Sequence, residues 1–276
     1  MKRELRFQLK NALSSTGFIA ICVFAIVFAV VCFVISCISV YGDDIISVPA
    51  VYDRFFGNAY SNEWFVIIFS MILPFLSCCA FADSYVSDCD RNYIPICITR
   101  AGVKKYYFSK LIAVFISGAF VILLPQIINY LLCLIAFPFS STYEYTWDLW
   151  QADTYTYVIS ESYFLFKRLY IFSPYLYFFT YIIISGIAAG IIAVIGYQAS
   201  FFVRNKIFAW SLMFTAINLL SILFEVYCIP MKIDDYIFGF SVGNMTYGYM
   251  ALTIGIYFLL SVIPIPFALR RLKNCI

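Results

Sequence analysis

Apolar residues gather into six long runs separated by short polar segments: Gly17 to Val40, Trp64 to Ala82, Leu111 to Phe137, Pro174 to Tyr197, Ile207 to Ile229 and Tyr249 to Leu269. Each run has about the 17 to 25 residues that a helix needs to cross the hydrocarbon core of a bilayer. In hydrocarbon every backbone donor and acceptor must be paired inside the protein. Long unbroken apolar runs do this as helices, whereas barrel strands would alternate in character over about ten residues. The pattern therefore predicts an all-α, polytopic membrane protein with six transmembrane helices. Ahead of the first run, Lys2 to Leu13 puts Leu5, Leu9, Ala12 and Leu13 at helical spacing, with Arg3, Arg6 and Lys10 turned mostly away from them. An amphipathic helix lying along the inner membrane surface fits this spacing, with membrane lipid as its partner. A plain basic flank that only sets topology is the other reading. Residues 1–16 form the interfacial piece and residues 17–276 the six-helix domain.

Composition narrows the class. A chain that is 64% hydrophobic and 12% charged, with a mean hydropathy of +0.92, has too little polar surface for a soluble domain. The longest polar gap, Pro138 to Ser173, has no room for a separate catalytic module, and no internal repeat is visible. The first run could be mistaken for a signal peptide, and Val34, Ile35, Ser36 and Cys37 loosely resemble a lipoprotein-processing box. The run is too long for a typical signal and five more follow it, which favours an ordinary anchoring helix.

Placing the charges on alternate sides orients the chain. With the N-terminus inside, Lys2, Arg3, Arg6, Lys10, Arg91, Arg100, Lys104, Lys105, Lys110, Arg204, Lys206, Arg270, Arg271 and Lys273 all fall on the inner side, leaving Arg54, Lys167, Arg168 and Lys232 outside among ten carboxylates. Such a bias predicts both termini in the cytoplasm of a bacterial cell. The net charge of +3 averages a basic inner face with an acidic outer one, so it gives no reason to expect nucleic acid as a partner.

The chain has no His, which removes metal and Ser/His hydrolases; an aspartyl mechanism would need paired carboxylates at bilayer depth. Only Glu225 lies clearly inside a run, near its outer end. It either reaches headgroup water or a neighbouring helix, or it faces a substrate path. Of the ten cysteines, Cys22, Cys32, Cys37, Cys78, Cys79, Cys133 and Cys228 fall in the runs, while Cys89, Cys97 and Cys275 face the cytoplasm. This distribution predicts neither external disulfides nor a metal site. No G-x-x-x-x-G-K-[ST] loop occurs, so no cofactor or catalytic residue is expected in this chain, and any ATP-driven activity must borrow its motor.

The segment from Asp83 to Lys110 is the most distinctive. Asp83, Asp88 and Asp90 precede the apolar block around Ile94, Ile96 and Ile98, which gives way to Arg100, Gly102, Lys104, Lys105, Tyr106, Tyr107 and Lys110. A loop that only set topology would need just the basic residues. The ordered blocks predict a short helix presented to a cytosolic partner, with Gly102 at its turn or end.

At these residues the chain resembles the permease subunits of type-2 ATP-binding cassette (ABC) exporters. That family has an interfacial N-terminal helix, six spans with both ends inside, and a loop after the second span that runs from acidic residues to a basic, Tyr-containing stretch ending in Lys. Asp88, Ile94, Ile96, Ile98, Arg100, Tyr106 or Tyr107, and Lys110 are the matching positions. Two departures stand out: spaced aspartates replace the family's adjacent glutamates, and Gly102 follows the apolar block. The resemblance implies an ATPase subunit carrying ATP and Mg on a separate chain, and a second permease subunit, identical or related. It also implies coupling to the ATPase through Ile96, Ile98, Arg100, Gly102, Lys104, Tyr106 and Lys110.

Other features bear on motion or cargo. Pro74 and Pro125 fall inside the second and third runs, as hinges or as static bends. Gly186 and Gly190 give the fourth run a close-contact face, for packing within the subunit or for a dimer seam. The segment 138–173, rich in Tyr, Phe and Trp, is either a pair of pieces lying in the outer headgroups or a lid over an exit path. A non-transporting six-helix protein, such as an immunity or sensor subunit, is the rival function.

Overall fold

The computed structural model describes residues 2–43, 48–59, 61–139, 165–203, 205–239 and 246–273. The chain there forms α1 (Lys2–Leu13), α2 (Thr16–Ile38), α3 (Val51–Arg54), α4 (Glu63–Phe81), α5 (Ser84–Asp90), α6 (Tyr93–Ala101) and α7 (Val103–Ala136), followed by α8 (Lys167–Phe172), α9 (Pro174–Ala199), α10 (Lys206–Val226), α11 (Asp234–Ile237), α12 (Tyr247–Val262) and α13 (Ile265–Lys273). Among the described residues no strand forms, and one isolated bridge joins Asn58 to Gly239. Six helical stretches are long and apolar enough to cross a membrane: α2, α4 with α5, α7, α9, α10, and α12 with α13.

Local chemistry sets several boundaries. The Ser15 hydroxyl accepts from the Phe18 N–H and starts α2. Ser173, followed by Pro174 in the first turn, caps α9, and Thr246 caps α12. α12 stops before Pro264, which cannot supply a helical N–H, and the chain resumes as α13. The apolar run from Tyr249 to Leu269 is therefore two helices. The third span corrects the sequence boundary in the other direction: α7 begins at Val103, not Leu111, because nothing after Gly102 breaks a helix. At 34 residues it is about 51 Å long, against a hydrocarbon core of about 30 Å. Its polar first turns thus lie beyond the core. Cys228 also lies outside its span, since α10 ends at Val226 and Cys228 takes a left-handed φ of 52°.

α7 is the central strut. It packs against α1, α2, α4 and α9, and α9 in turn meets α4 and α12. Small residues allow the close approaches. A Cβ on Gly186 would come within 2.6 Å of Leu123, and one on Gly190 within 2.7 Å of Phe115, both on α7. The glycine face of α9 is thus consumed inside the subunit. The reverse contact, Gly118 of α7 against Ala193, is as tight. Both Pro74 and Pro125 are buried in helices that continue through them.

Side-chain amides tie the spans together. Gln126 donates to the Ser185 hydroxyl at 2.7 Å, Asn129 to the Ala29 carbonyl at 3.1 Å, and Asn218 to the Met71 carbonyl at 3.2 Å. Gln198 reaches the Ser261 carbonyl. An amide inside hydrocarbon needs such a partner, and each one found on another helix fixes a crossing. The outer helices are otherwise bare: α2, α10 and α12 bury 22% of their most apolar stretch, against 67% for α4–α5. Those faces suit lipid or another subunit.

Candidate functional site

The end of the bundle that carries α1, α5, α6 and α13 holds most of the described Lys and Arg. Helix α6 is amphipathic. It buries Ile94, Cys97 and Ile98 and exposes Ile96 and Arg100. Its end is fixed by Gly102, whose N–H donates to the Ile98 carbonyl at 2.8 Å and whose carbonyl accepts from the Tyr106 N–H at 3.1 Å. At φ 81° and ψ 146°, Gly102 occupies backbone space open essentially to glycine. One residue therefore closes α6 and opens α7.

Beneath this joint lies a charged node. Lys110, 1% exposed, donates from Nζ to Asp88 Oδ2, to the Ser84 carbonyl at 2.9 Å and to the Tyr106 hydroxyl at 3.1 Å. The Tyr106 hydroxyl also donates to Asp88 Oδ2. The ammonium sits 5.3 Å from the Tyr106 ring centre and 5.9 Å from that of Phe81. A buried cation is tolerable only with this completeness of partners, and the partners come from α4, α5 and α7. Beside the node, Tyr85 of α5 stacks on Phe201 at 3.9 Å, and Phe201 meets Tyr197 of α9.

Above the joint, α1, α6 and the first turn of α7 enclose a cleft of about 470 Å³. Arg3, Glu4 and Phe7 line it from α1, Tyr93, Ile96 and Arg100 from α6, and Lys105 from α7. Burial lifts the Tyr93 hydroxyl above its usual range, helped by Cys97 and then by Asp88 and Glu4. Burial likewise lifts the Cys97 thiol. Both are neutral at ordinary pH, so the field in the cleft comes from three cations against Glu4. None of the three cations forms an ion pair among the described residues. Phe7 and Ile96, 44% and 50% exposed, offer apolar contact beside them.

The seven residues expected to couple thus divide. Ile96, Arg100, Gly102 and Lys104 are at the surface, whereas Ile98, Tyr106 and Lys110 lie behind it and brace it. Lys104 is exposed but outside the cleft; its neighbour Lys105 lines it, as do Arg3 and Phe7. Helix α1 accounts for that last difference. It spends Ala12 and part of Leu9 against the bundle and turns Phe7 toward α6.

The opposite, acidic end is built differently. Asn62 donates to the carbonyls of Asp53 at 2.9 Å and Phe55 at 3.0 Å, Asn58 donates to that of Tyr52 at 3.0 Å, and the Ala59 N–H donates to Gly239 at 2.9 Å. Glu225 is in the last turn of α10, 69% exposed, and pairs with Lys232 at 3.2 Å. Burial would lower the Lys232 pKa, but the hydrogen bond to Glu225 and the charges of Asp235 and Asp234 leave it raised. Burial pushes Asp234 up to about 6, against the pull of Lys232 and with a further push from Asp235. Of the aromatic segment 138–173, positions 140–164 lie outside the described residues, as do Arg204 and Cys275. Searches against family models, curated proteins and solved structures gave no match.

Proposed function

We propose that this chain is the permease subunit of an ATP-driven, type-2-like ABC exporter in a bacterial cytoplasmic membrane, with both termini inside. The cleft between α1 and α6 carries the reading. It combines cations that have no ion pair among the described residues with exposed Phe7 on α1 and exposed Ile96 on α6, the short helix that feeds directly through Gly102 into α7, the helix touching most of the bundle. A partner pressing on α6 would move α7 with it, because the Lys110 node pins α5 to the same strut. An ATPase on a separate chain, carrying ATP and Mg, would supply the push, and its docking element would present carboxylates to Arg3, Arg100 and Lys105. A second permease subunit, identical or related, would cover part of the bare faces of α2, α10 and α12.

The interior favours apolar or amphipathic cargo: lipid, peptide or hydrophobic drug. Its described polar groups in the spans are chiefly amides and hydroxyls spent on helix contacts, and a small ion would need a charged path. Co-purification from the native membrane tests the subunit assignment. A Walker-motif ATPase should accompany the tagged chain in stoichiometric amount, and its absence would favour a six-helix protein that works without a motor.

A further inference from the structure

We propose that α13 is a membrane-surface helix that gathers anionic phospholipid headgroups in the leaflet at the basic end of the bundle. The proposal rests on the spans and not on the permease reading. Helix α13 lies on the bundle by one face only. It buries Ala268 and Leu272, packs against α7, and is pinned where Arg271 donates to the Phe201 carbonyl. Its opposite face holds Phe267, Arg270 and Lys273, all exposed. Neither Arg270 nor Lys273 forms an ion pair among the described residues.

The order of residues along that face says what it meets. Val262 and Ile263, just before α13, are exposed. Phe267 then lies flat on Phe202, with ring centres 4.7 Å and planes 9° apart. The stack is open, Phe202 being 60% and Phe267 45% exposed. Apolar side chains thus give way to cations within the nine residues of α13. Depth agrees with this order. The stretch from Tyr247 to Lys273 has 27 residues and is at most about 40 Å long, against a hydrocarbon core of about 30 Å. Helix α12 begins at the far boundary, where exposed Tyr247 and Tyr249 suit the headgroup level, so about the last seven residues outrun the core. The Phe202–Phe267 stack then sits at the hydrocarbon edge, and Arg270 and Lys273 lie among the phosphates. A soluble partner would meet the cations but leave the rings and Ile263 uncovered. An anionic phospholipid covers both, with an acyl chain on the rings and its phosphate on the cations. A zwitterionic headgroup carries its own cation and gains less.

The test uses the full chain in phosphatidylcholine nanodiscs. These carry a trace of either phosphatidylglycerol or phosphatidylcholine, at equal mole fraction, with a photoactivatable group near the top of one acyl chain. Adducts are mapped by peptide mass spectrometry. Those at Phe202 and Ile263–Lys273 should favour phosphatidylglycerol at least about fivefold, the effect of one cation near an anionic headgroup. Adducts at Trp64, exposed at the acidic end, should show no such preference. Arg270→Gln combined with Lys273→Gln, two surface changes that leave the buried face of α13 intact, should remove the preference, and Arg270→Lys combined with Lys273→Arg should keep it. Equal labelling by the two lipids in the wild-type chain, or a preference that survives the double Gln variant, would overturn the proposal. Absence of adducts on α13 would overturn it as well, leaving this face to water or to a soluble partner.

Discussion

At the basic end the chain leaving α4 stays helical through α5 and α6, and its buried cation, Lys110, is answered by Asp88, Ser84 and Tyr106. At the acidic end the chain is irregular around α3 and α11, and neutral amides answer the backbone: Asn58 and Asn62 accept no charge and simply take up carbonyls. The materials differ because the tasks differ. Irregular backbone next to hydrocarbon must find partners, and an amide provides them cheaply. A buried charge pair is a costly way to hold two helices, since each ion must be desolvated. Where it occurs, between the helical hairpin and the central strut, it joins elements that would move together under load.

Breaking each connection should rank them. The largest effect belongs to Lys110→Met, which strands Asp88 without its cation and should cost about 3 to 5 kcal/mol, read as a large drop in the thermal midpoint of the detergent-solubilised protein. Asp88→Leu combined with Lys110→Met should recover most of that loss, because neither ion is then left alone. Next, Asn129→Ala removes a donor to the Ala29 carbonyl and an acceptor for the Phe56 N–H. It should cost about 1 to 2 kcal/mol with no effect on α6, as limited proteolysis around Arg100 would show.

Asp234 gives a smaller, pH-dependent contrast. Its pKa of about 6 in the folded chain exceeds the ordinary 3.8, so the folded state holds this proton more tightly than the unfolded state does. The group therefore favours folding as pH falls from 7 toward 4, and that benefit is lost as pH rises through 6. Asp234→Asn should stabilise the chain by about 1 kcal/mol at pH 7 and flatten the dependence of its thermal midpoint between pH 4 and 7. The smallest effect is expected for Lys206→Ala. Lys206 meets the well-exposed Asp90 at 3.8 Å, and such a surface pair contributes about 0.5 kcal/mol or less.

The spans were legible because hydrocarbon demands long apolar runs, and a run of Ile, Val, Leu and Phe has few other uses. The N-terminal helix and the helix ending at Gly102 were legible for a similar reason, their spacing and a glycine. Which cation faces the cleft was not. Lys104 and Lys105 are adjacent, so only the phase of α7, set by its start at Val103, decides that Lys105 points toward α6. Arg3 and Phe7 carry no mark of a site in the sequence, because the packing of α1 on α7 depends on contacts far away in sequence. Gln126, Asn129 and Asn218 are amides inside apolar runs and Gln198 directly follows one, a sequence signal that a reading of charges alone does not carry. The depth of Lys110 could not be read from a basic cluster, since its partner Asp88 lies 22 residues away.

The most direct measurement of the central claim is the ATPase rate of the motor we propose as partner, in proteoliposomes containing this chain, compared across three charge reversals. The wild-type chain should stimulate that motor, and Arg100→Glu and Lys105→Glu, both in the cleft, should each abolish the stimulation with thermal midpoints unchanged. Lys104→Glu, one residue outside the cleft, should retain most of it. Equal stimulation by all three variants would contradict energy entry through the α1–α6 cleft.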